Sequence, residues 1–170
     1  MPETPEKLKP HPARVHGASP TRGGRAGGPA YAELGATSNF TFLTGASHPD
    51  ELVFRAAALG HSAAAIADTN TLAGVVRAHV AAKEAGIPLA VGCRVRLASP
   101  DGLEVLVYPE RRTGYADLCR LLTLGKRRAP KGQCHLTLED LLAHAEGLLG
   151  VAVPPAWIDD AFVRTLGALR

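Results

Sequence analysis

From Tyr31 onward, short apolar runs alternate with helix-like stretches, and this alternation constrains the fold more than any other sequence feature. The runs typical of strands are YAELGA, SAAAIAD, IPLAVGCRVRL, LEVLVYP and GLLGVAV. SAAAIAD is apolar almost throughout, as expected of a strand that is covered on both faces. Strands that alternate with helices at this spacing predict an α/β fold of parallel β/α construction.

The stretches between these strands have the periodicity and end signals of helices. Ser47 is the expected N-cap of the first helix, which Gly60 should end. Gly86 should close the second helix in the same way. Further helices are predicted over 113–124, after a Thr137 cap, and after the last strand. The residues predicted to face inward are Leu52, Val53, Ala56 and Leu59 in the first helix and Leu72, Val75, Val76 and Val80 in the second.

Residues 1–29 differ in composition from the rest of the chain. They are rich in proline, glycine and basic residues and contain little that a core could bury. We predict a disordered leader over 1–29 and a single domain over 30–170. The leader has no apolar stretch of the kind that a secretory signal requires.

Bulk composition excludes several classes of protein. A net charge of +3 permits contact with nucleic acid without predicting it. Cys93, Cys119 and Cys134 are odd in number and form no C-x-x-C pair, which excludes a zinc ribbon and favours a reducing, cytoplasmic location. No apolar run approaches the roughly 18 residues of a membrane span. No phosphate-binding loop or nucleophile motif is present after residue 29.

Four segments, taken together in this order and spacing, resemble one family. They are YAELGATSNFTFLTGASHPDEL, AIADTNTLAGVVRAH, KEAGIPLAVGCRVRL and GYADLCRLLTLGKRRAPKGQCHLTLEDL. They are similar to the N-terminal PHP (polymerase and histidinol phosphatase) domain of bacterial C-family DNA polymerases, in particular the error-prone branch related to the DNA polymerase III alpha subunit. The resemblance runs from Tyr31 to about Val153.

The resemblance implies a distorted (β/α)7 barrel with metal ions at the carboxyl ends of its strands. About five strands are present here, so the barrel is expected to be incomplete. Five strands would leave an open sheet edge and an uncovered apolar flank. From this we expect marginal stability or self-association of the isolated chain.

The positions that hold metal in active members map onto residues that bind metal poorly. The His-x-His pair becomes Gly35 and Thr37, and the Asp-His pair becomes Asp68 and Thr69. The acidic ligand of the third strand becomes Arg94, whose permanent charge repels a cation. We therefore predict no metal, no catalytic residue and no cofactor in this chain. Mg²⁺ is expected only for the full polymerase.

Two further features leave alternatives open. Asp68 either caps the following helix or pairs with Arg94, and in the second case Arg94→Glu should destabilise the fold. The stretch GKRRAPKG is either a solvated loop or a contact for phosphate or for another domain. Its four basic residues are Lys126, Arg127, Arg128 and Lys131.

At family level the resemblance implies DNA-directed DNA synthesis, translesion synthesis and DNA repair. The implied partners are the remainder of the polymerase chain, DNA and damage-tolerance accessory proteins, with no membrane contact. Because the polymerase catalytic parts are missing from 170 residues, this chain is expected to be inactive alone and to act as a scaffold. The rival hypotheses are a metal-dependent PHP phosphoesterase or exonuclease and a stand-alone half-barrel interaction module.

Overall fold

The computed structural model describes residues 30–100 and 102–169, so the predicted leader over 1–29 lies outside the described residues. Within these ranges five strands and five helices follow one another along the chain. The strands are β1 (Ala32–Ala36), β2 (Ala63–Thr69), β3 (Leu89–Arg96), β4 (Glu104–Pro109) and β5 (Leu148–Val153). The helices are α1 (Pro49–Ala58), α2 (Val75–Ala85), α3 (Arg112–Arg128), α4 (Leu138–Ala143) and α5 (Asp160–Ala168).

The strands form one sheet in the order β1-β2-β3-β4-β5. β1, β2 and β3 pair in parallel, as predicted, because a helix crosses over between consecutive strands. β4 is antiparallel to both β3 and β5, which corrects the expectation of parallel construction throughout. The reason is that only a short turn separates β3 from β4, and a connection of that length reverses the chain direction.

The helices cover one face of the sheet, which we call the outer face. Two apolar clusters lie there, one between β2 and helices α1 and α2 and one between strands β3 and β4 and helices α3 and α4. Burial of these side chains is the main stabilising contribution to the fold. The first cluster contains Val53, Ala56, Ala64, Ile66, Ala78, Ala81, Ala82, Ala85 and Ile87. The second contains Cys93, Val95, Leu97, Leu103, Val105, Val107, Leu118, Leu121, Leu122, Leu136 and Leu141.

The opposite face, which we call the inner face, is concave. The Tyr108 hydroxyl on β4 donates a hydrogen bond of 2.6 Å to the Leu34 carbonyl oxygen on β1. In a flat sheet these strands would lie about 14 Å apart, three spacings of about 4.8 Å, which is further than a tyrosine side chain reaches. The sheet therefore curls into an incomplete barrel, which we call the half-barrel.

Strand β5 carries exposed apolar side chains at the end of this sheet. Leu149 and Val151 pair with Tyr108 and Leu106 and so lie on the inner face, where they are 57% and 51% exposed. Within the described residues no strand pairs with the other edge of β5. The uncovered flank expected from the sequence is thus located at β5, whereas the expected self-association stays a prediction.

The first two helices depart from the sequence predictions at their caps and faces. The N-cap of α1 is His48 rather than Ser47, and its backbone N–H donates to Glu51 Oε2 at 2.7 Å. In α2, Val76 and Val80 are exposed rather than inward. Alanines occupy the buried face of α2 instead, because α1 packs against it and small side chains permit close approach of the two helices.

Helix α3 continues four residues beyond the predicted end at 124 and includes the first part of the supposed basic connector. Gly125, the first residue after the predicted helix, lies inside the observed helix and is buried. A Cβ atom at Gly125 would come within 2.6 Å of Leu136 Cγ and of Cys134 Sγ. This glycine therefore serves close packing rather than helix termination.

No helix within 30–100 and 102–169 combines the length and the apolar character that crossing a membrane requires.

Candidate functional site

The positions that map onto metal ligands within the sheet are divided between its two faces. Asp68 pairs with Cys93, and Thr69 with Arg94, across β2 and β3. Since successive side chains of a strand point to opposite faces, Thr69 and Arg94 lie on the inner face and Asp68 on the outer. Ala36 packs in the outer cluster, so the same alternation places Gly35 on the inner face. Thr37 follows the end of β1.

Asp68 holds the loop that follows β1. Its side chain is 2% exposed and accepts hydrogen bonds from the Ser38 backbone N–H at 2.7 Å and from the Ser38 hydroxyl at 2.7 Å. The Thr41 hydroxyl donates to it at 2.8 Å and accepts from the Thr69 N–H at 2.9 Å. Three donors therefore satisfy a carboxylate that is buried away from solvent. Asp68 fixes loop 37–47 against the end of β2.

Neither predicted role for Asp68 is observed, because α2 begins after Gly74 without a side-chain cap and Arg94 pairs with Glu104. Arg94 Nη1 lies 3.0 Å from Glu104 Oε2 on the neighbouring strand β4. The physical reason is the register, because Asp68 and Arg94 project from opposite faces of the sheet. The side chains of Arg94 and Glu104 are 21% and 28% exposed, so the pair is partly shielded from water.

We expect Arg94→Glu to lower the free energy of unfolding by roughly 1–2 kcal/mol, since it sets two carboxylates side by side in a partly buried position. The measurement is urea denaturation followed by circular dichroism. The reversed pair Arg94→Glu with Glu104→Arg should recover at least half of the loss. A double variant as unstable as the sum of its single variants would contradict a direct interaction between these two residues.

The inner face also contains a residue that sequence reasoning missed. The Tyr108 ring crosses Gly92, where an added Cβ atom would come within 2.7 Å of Tyr108 Cε1. Ala65 and Ala67, on the inner side of β2, are fully buried. Partial burial raises the pKa of the Tyr108 hydroxyl above its ordinary value, which keeps it a neutral hydrogen-bond donor. The only sign of this contact in the sequence was the small size of Ala65, Ala67 and Gly92, which leaves room for the Tyr108 ring.

The backbone at Gly35 is held by a neighbouring carboxylate. The Gly35 N–H donates to Glu33 Oε1 at 2.8 Å, and the Tyr31 hydroxyl donates to Glu33 Oε2 at 2.8 Å. The first of these bonds, supported by the second, lowers the pKa of Glu33 below its ordinary value. Glu33 is thus engaged within its own strand.

The mapped positions do not fit a metal ion. Gly35 has no side-chain ligand atom, Asp68 is directed to the outer face, and Arg94 brings a positive charge that Glu104 already balances. Within residues 30–100 and 102–169, no three His, Cys, Asp or Glu side chains are grouped closely enough to hold a metal ion.

The basic stretch divides between a helix and a loop. Lys126, Arg127 and Arg128 form the last turn of α3, and Lys131 lies in the loop that follows. Arg128 Nη1 lies 2.5 Å from Asp140 Oδ2 in the first turn of α4. Burial would raise the pKa of Asp140, but the Thr137 N–H and the Arg128 guanidinium outweigh that effect and lower it.

Comparison with known proteins agrees with this architecture. The profile of the PHP domain family matches residues 33–164. The chain is 52% identical over 147 residues to an error-prone DNA polymerase of Caulobacter vibrioides, covering 84% of this chain and 13% of that protein. It is 50% identical over 134 residues to an error-prone DNA polymerase of Allorhizobium ampelinum, covering 79% and 12%.

Among solved structures, a putative metal-dependent phosphoesterase of Bifidobacterium adolescentis aligns with a TM-score of 0.49 and 26% identity, over 58% of this chain and 34% of that one. The chain spans only about an eighth of the length of the polymerases that it matches. The match to the family profile nevertheless covers most of the described residues and all five strands except the first residue of β1. This chain belongs to the PHP domain family and is homologous to error-prone DNA polymerases.

Proposed function

We propose that this chain is the PHP portion of an error-prone DNA polymerase and that its role there is structural. The observation that carries the proposal is the inner face of the half-barrel, which the protein's own side chains occupy. Tyr108 crosses it from β4 to β1, and Arg94, at the mapped ligand position of β3, pairs with Glu104. Side chains that would activate water for hydrolysis are replaced there by side chains that tie strands together.

These interactions suit a scaffold for a physical reason. A sheet that curls without closing keeps its curvature only if something joins distant strands, and the Tyr108 hydroxyl joins the first strand to the fourth. Asp68 joins the β1–α1 loop to β2 in the same way. The exposed Leu149 and Val151 leave an apolar surface at β5 for the remainder of the polymerase chain to cover.

The activity of the whole protein would be DNA-directed DNA synthesis, with translesion synthesis and DNA repair as its setting and the cytoplasm as its location. That reaction needs carboxylates that position two metal ions, so Mg²⁺ would be bound outside residues 1–170. Its partners would be DNA and damage-tolerance accessory proteins. The support for this assignment is the identity of about 50% to error-prone polymerases over most of the chain.

The size of the native gene product tests the proposal. An immunoblot with an antibody raised against residues 31–153 should show a band several times heavier than the 17.8 kDa of this chain. A single band at 17.8 kDa would contradict the proposal, because the half-barrel would then exist without a polymerase attached.

A further inference from the structure

We propose that the solvent side of α3 binds the phosphate backbone of a nucleic acid strand. We call this surface the α3 basic face and define it by Arg112, Arg120, Thr123 and Arg127. The inference rests on the proposed function, since it adds a DNA contact to a domain that we propose to be structural within the polymerase. No part of it depends on the inner face of the half-barrel.

The first observation is a segregation of charge along the chain. Residues 111–131 contain seven of the 19 Lys and Arg residues but only one of the 16 acidic residues. The described residues outside this segment contain more acidic than basic side chains. A mild net charge of +3 therefore conceals one strongly basic surface.

The second observation is the arrangement of these residues around the helix. At 3.6 residues per turn, Arg112, Thr123, Arg127 and Arg120 fall within an arc of about 80°. The buried residues Leu118, Leu121 and Leu122 fall on the opposite side, against the sheet. The packing of α3 thus directs the basic face to solvent.

The third observation is an open groove of about 830 Å³ between α3 and the end of α4. Its lining includes Arg120, Thr123, Arg127, Arg128 and His144. The groove thus offers guanidinium and hydroxyl groups, which donate hydrogen bonds to phosphate oxygens.

Not all of this charge is balanced within the protein. Arg120 pairs with Asp117, and Arg128 pairs with Asp140. For Arg112 and Arg127, no carboxylate of the described residues lies within ion-pair distance. Two exposed guanidinium groups therefore remain available on the face, each with a planar set of donors that matches a phosphate group.

The shape of the surface favours an extended polyanion over a small ligand. Sites for small ligands are enclosed, whereas this groove is open and its side chains are exposed. The 17 residues of α3 extend over about 25 Å, which is long enough to contact several consecutive phosphates of one strand. Because contacts to phosphates carry no sequence information, we expect binding without sequence preference.

The test is fluorescence anisotropy of a labelled 20-nucleotide thymidylate strand titrated with the full 170-residue chain. The logarithm of the affinity should fall with the logarithm of salt concentration, with a slope of roughly −2 to −3 for three or four phosphate contacts. Arg112→Glu with Arg127→Glu should weaken binding at least tenfold and reduce the slope by about 1.4, since two contacts are lost.

The matched control is Arg55→Glu with Arg164→Glu, which makes the same change in net charge on α1 and α5. A second control, Arg22→Glu with Arg25→Glu, makes the same change in net charge within residues 1–29. Both should stay within about twofold of the unmodified chain. If a control weakens binding equally, net charge alone explains the effect and the proposal is wrong. The proposal is also wrong if a correctly folded Arg112→Glu, Arg127→Glu variant binds as tightly as the unmodified chain.

A competition with polyglutamate separates phosphate from carboxylate recognition. If polyglutamate displaces the oligonucleotide at equal concentration of charge, the face would suit an acidic protein surface, and the proposal would be wrong. Either failure would leave the polymerase assignment intact, because the immunoblot tests that assignment independently.

Discussion

Replacing Asp68 with alanine should lower the free energy of unfolding by roughly 3–5 kcal/mol, the largest effect that we expect from a single substitution in this chain. The carboxylate accepts hydrogen bonds from two groups of Ser38 and from the Thr41 hydroxyl. Without it, the Ser38 N–H and hydroxyl would remain buried with no acceptor, at a cost of about 1–3 kcal/mol each. The removed side chain would leave a small cavity as well.

Asp68→Asn refines this expectation. The asparagine keeps one oxygen acceptor but turns an amide nitrogen toward a donor, so we expect roughly half of the loss seen for alanine. The matched control is Asp160→Ala, which removes an exposed carboxylate from the first turn of α5 and should change stability by less than about 0.5 kcal/mol.

Urea denaturation followed by circular dichroism measures these differences. It should be run at two protein concentrations, because association through the exposed Leu149 and Val151 would add stability that depends on concentration. If Asp68→Ala unfolds within about 1 kcal/mol of the unmodified chain, the carboxylate does not hold loop 37–47 and our description of it is wrong.

The elements of the fold were predictable from sequence because their signals are local. The family inferred from four segments is confirmed by the match over residues 33–164. The five apolar runs correspond to the five strands, since short continuous apolar runs bounded by turn residues are consistent with buried strands. The short turn after β3 also indicated a reversal of direction, and the expectation of parallel strands throughout overlooked it.

The contacts of the site were less predictable because they depend on register. Pairing Asp68 with Arg94 assumed that the ends of neighbouring strands share a face. A shift of one residue in register moves every side chain to the other face, and the apolar run of β2 has no alternation that would show which face Asp68 takes. The register observed places Arg94 opposite Leu106 and within reach of Glu104 on the same strand β4. The Tyr108 bridge required, in addition, the curvature of the sheet.

The roles of glycines were also hard to predict from sequence, because a glycine that ends a helix and one that permits close packing look alike in sequence. Gly86 ends α2 with φ +67°, as predicted. Gly125 and Gly114 lie within α3, where the lack of a Cβ atom permits contact with other segments. Only the position of a neighbouring segment distinguishes the two uses.

Gly114→Ala should therefore destabilise the protein by roughly 1–3 kcal/mol, although alanine is the better helix former. An added Cβ atom would come within 2.3 Å of the Gly147 carbonyl oxygen, which accepts a hydrogen bond of 3.0 Å from the Glu110 N–H. To make room, the start of β5 must move away from α3 and weaken that bond. The clash involves backbone, so no side-chain rotation relieves it.

Gly167→Ala is the matched control, since it adds the same methyl group to a helical glycine that has no atom within 4 Å of the new position. It should leave stability unchanged or raise it by up to about 1 kcal/mol through helix propensity alone. Opposite signs for the two substitutions in urea denaturation would show that α3 contacts the Gly147 backbone closely. Equal effects of one sign would contradict that contact, because propensity alone would then account for both.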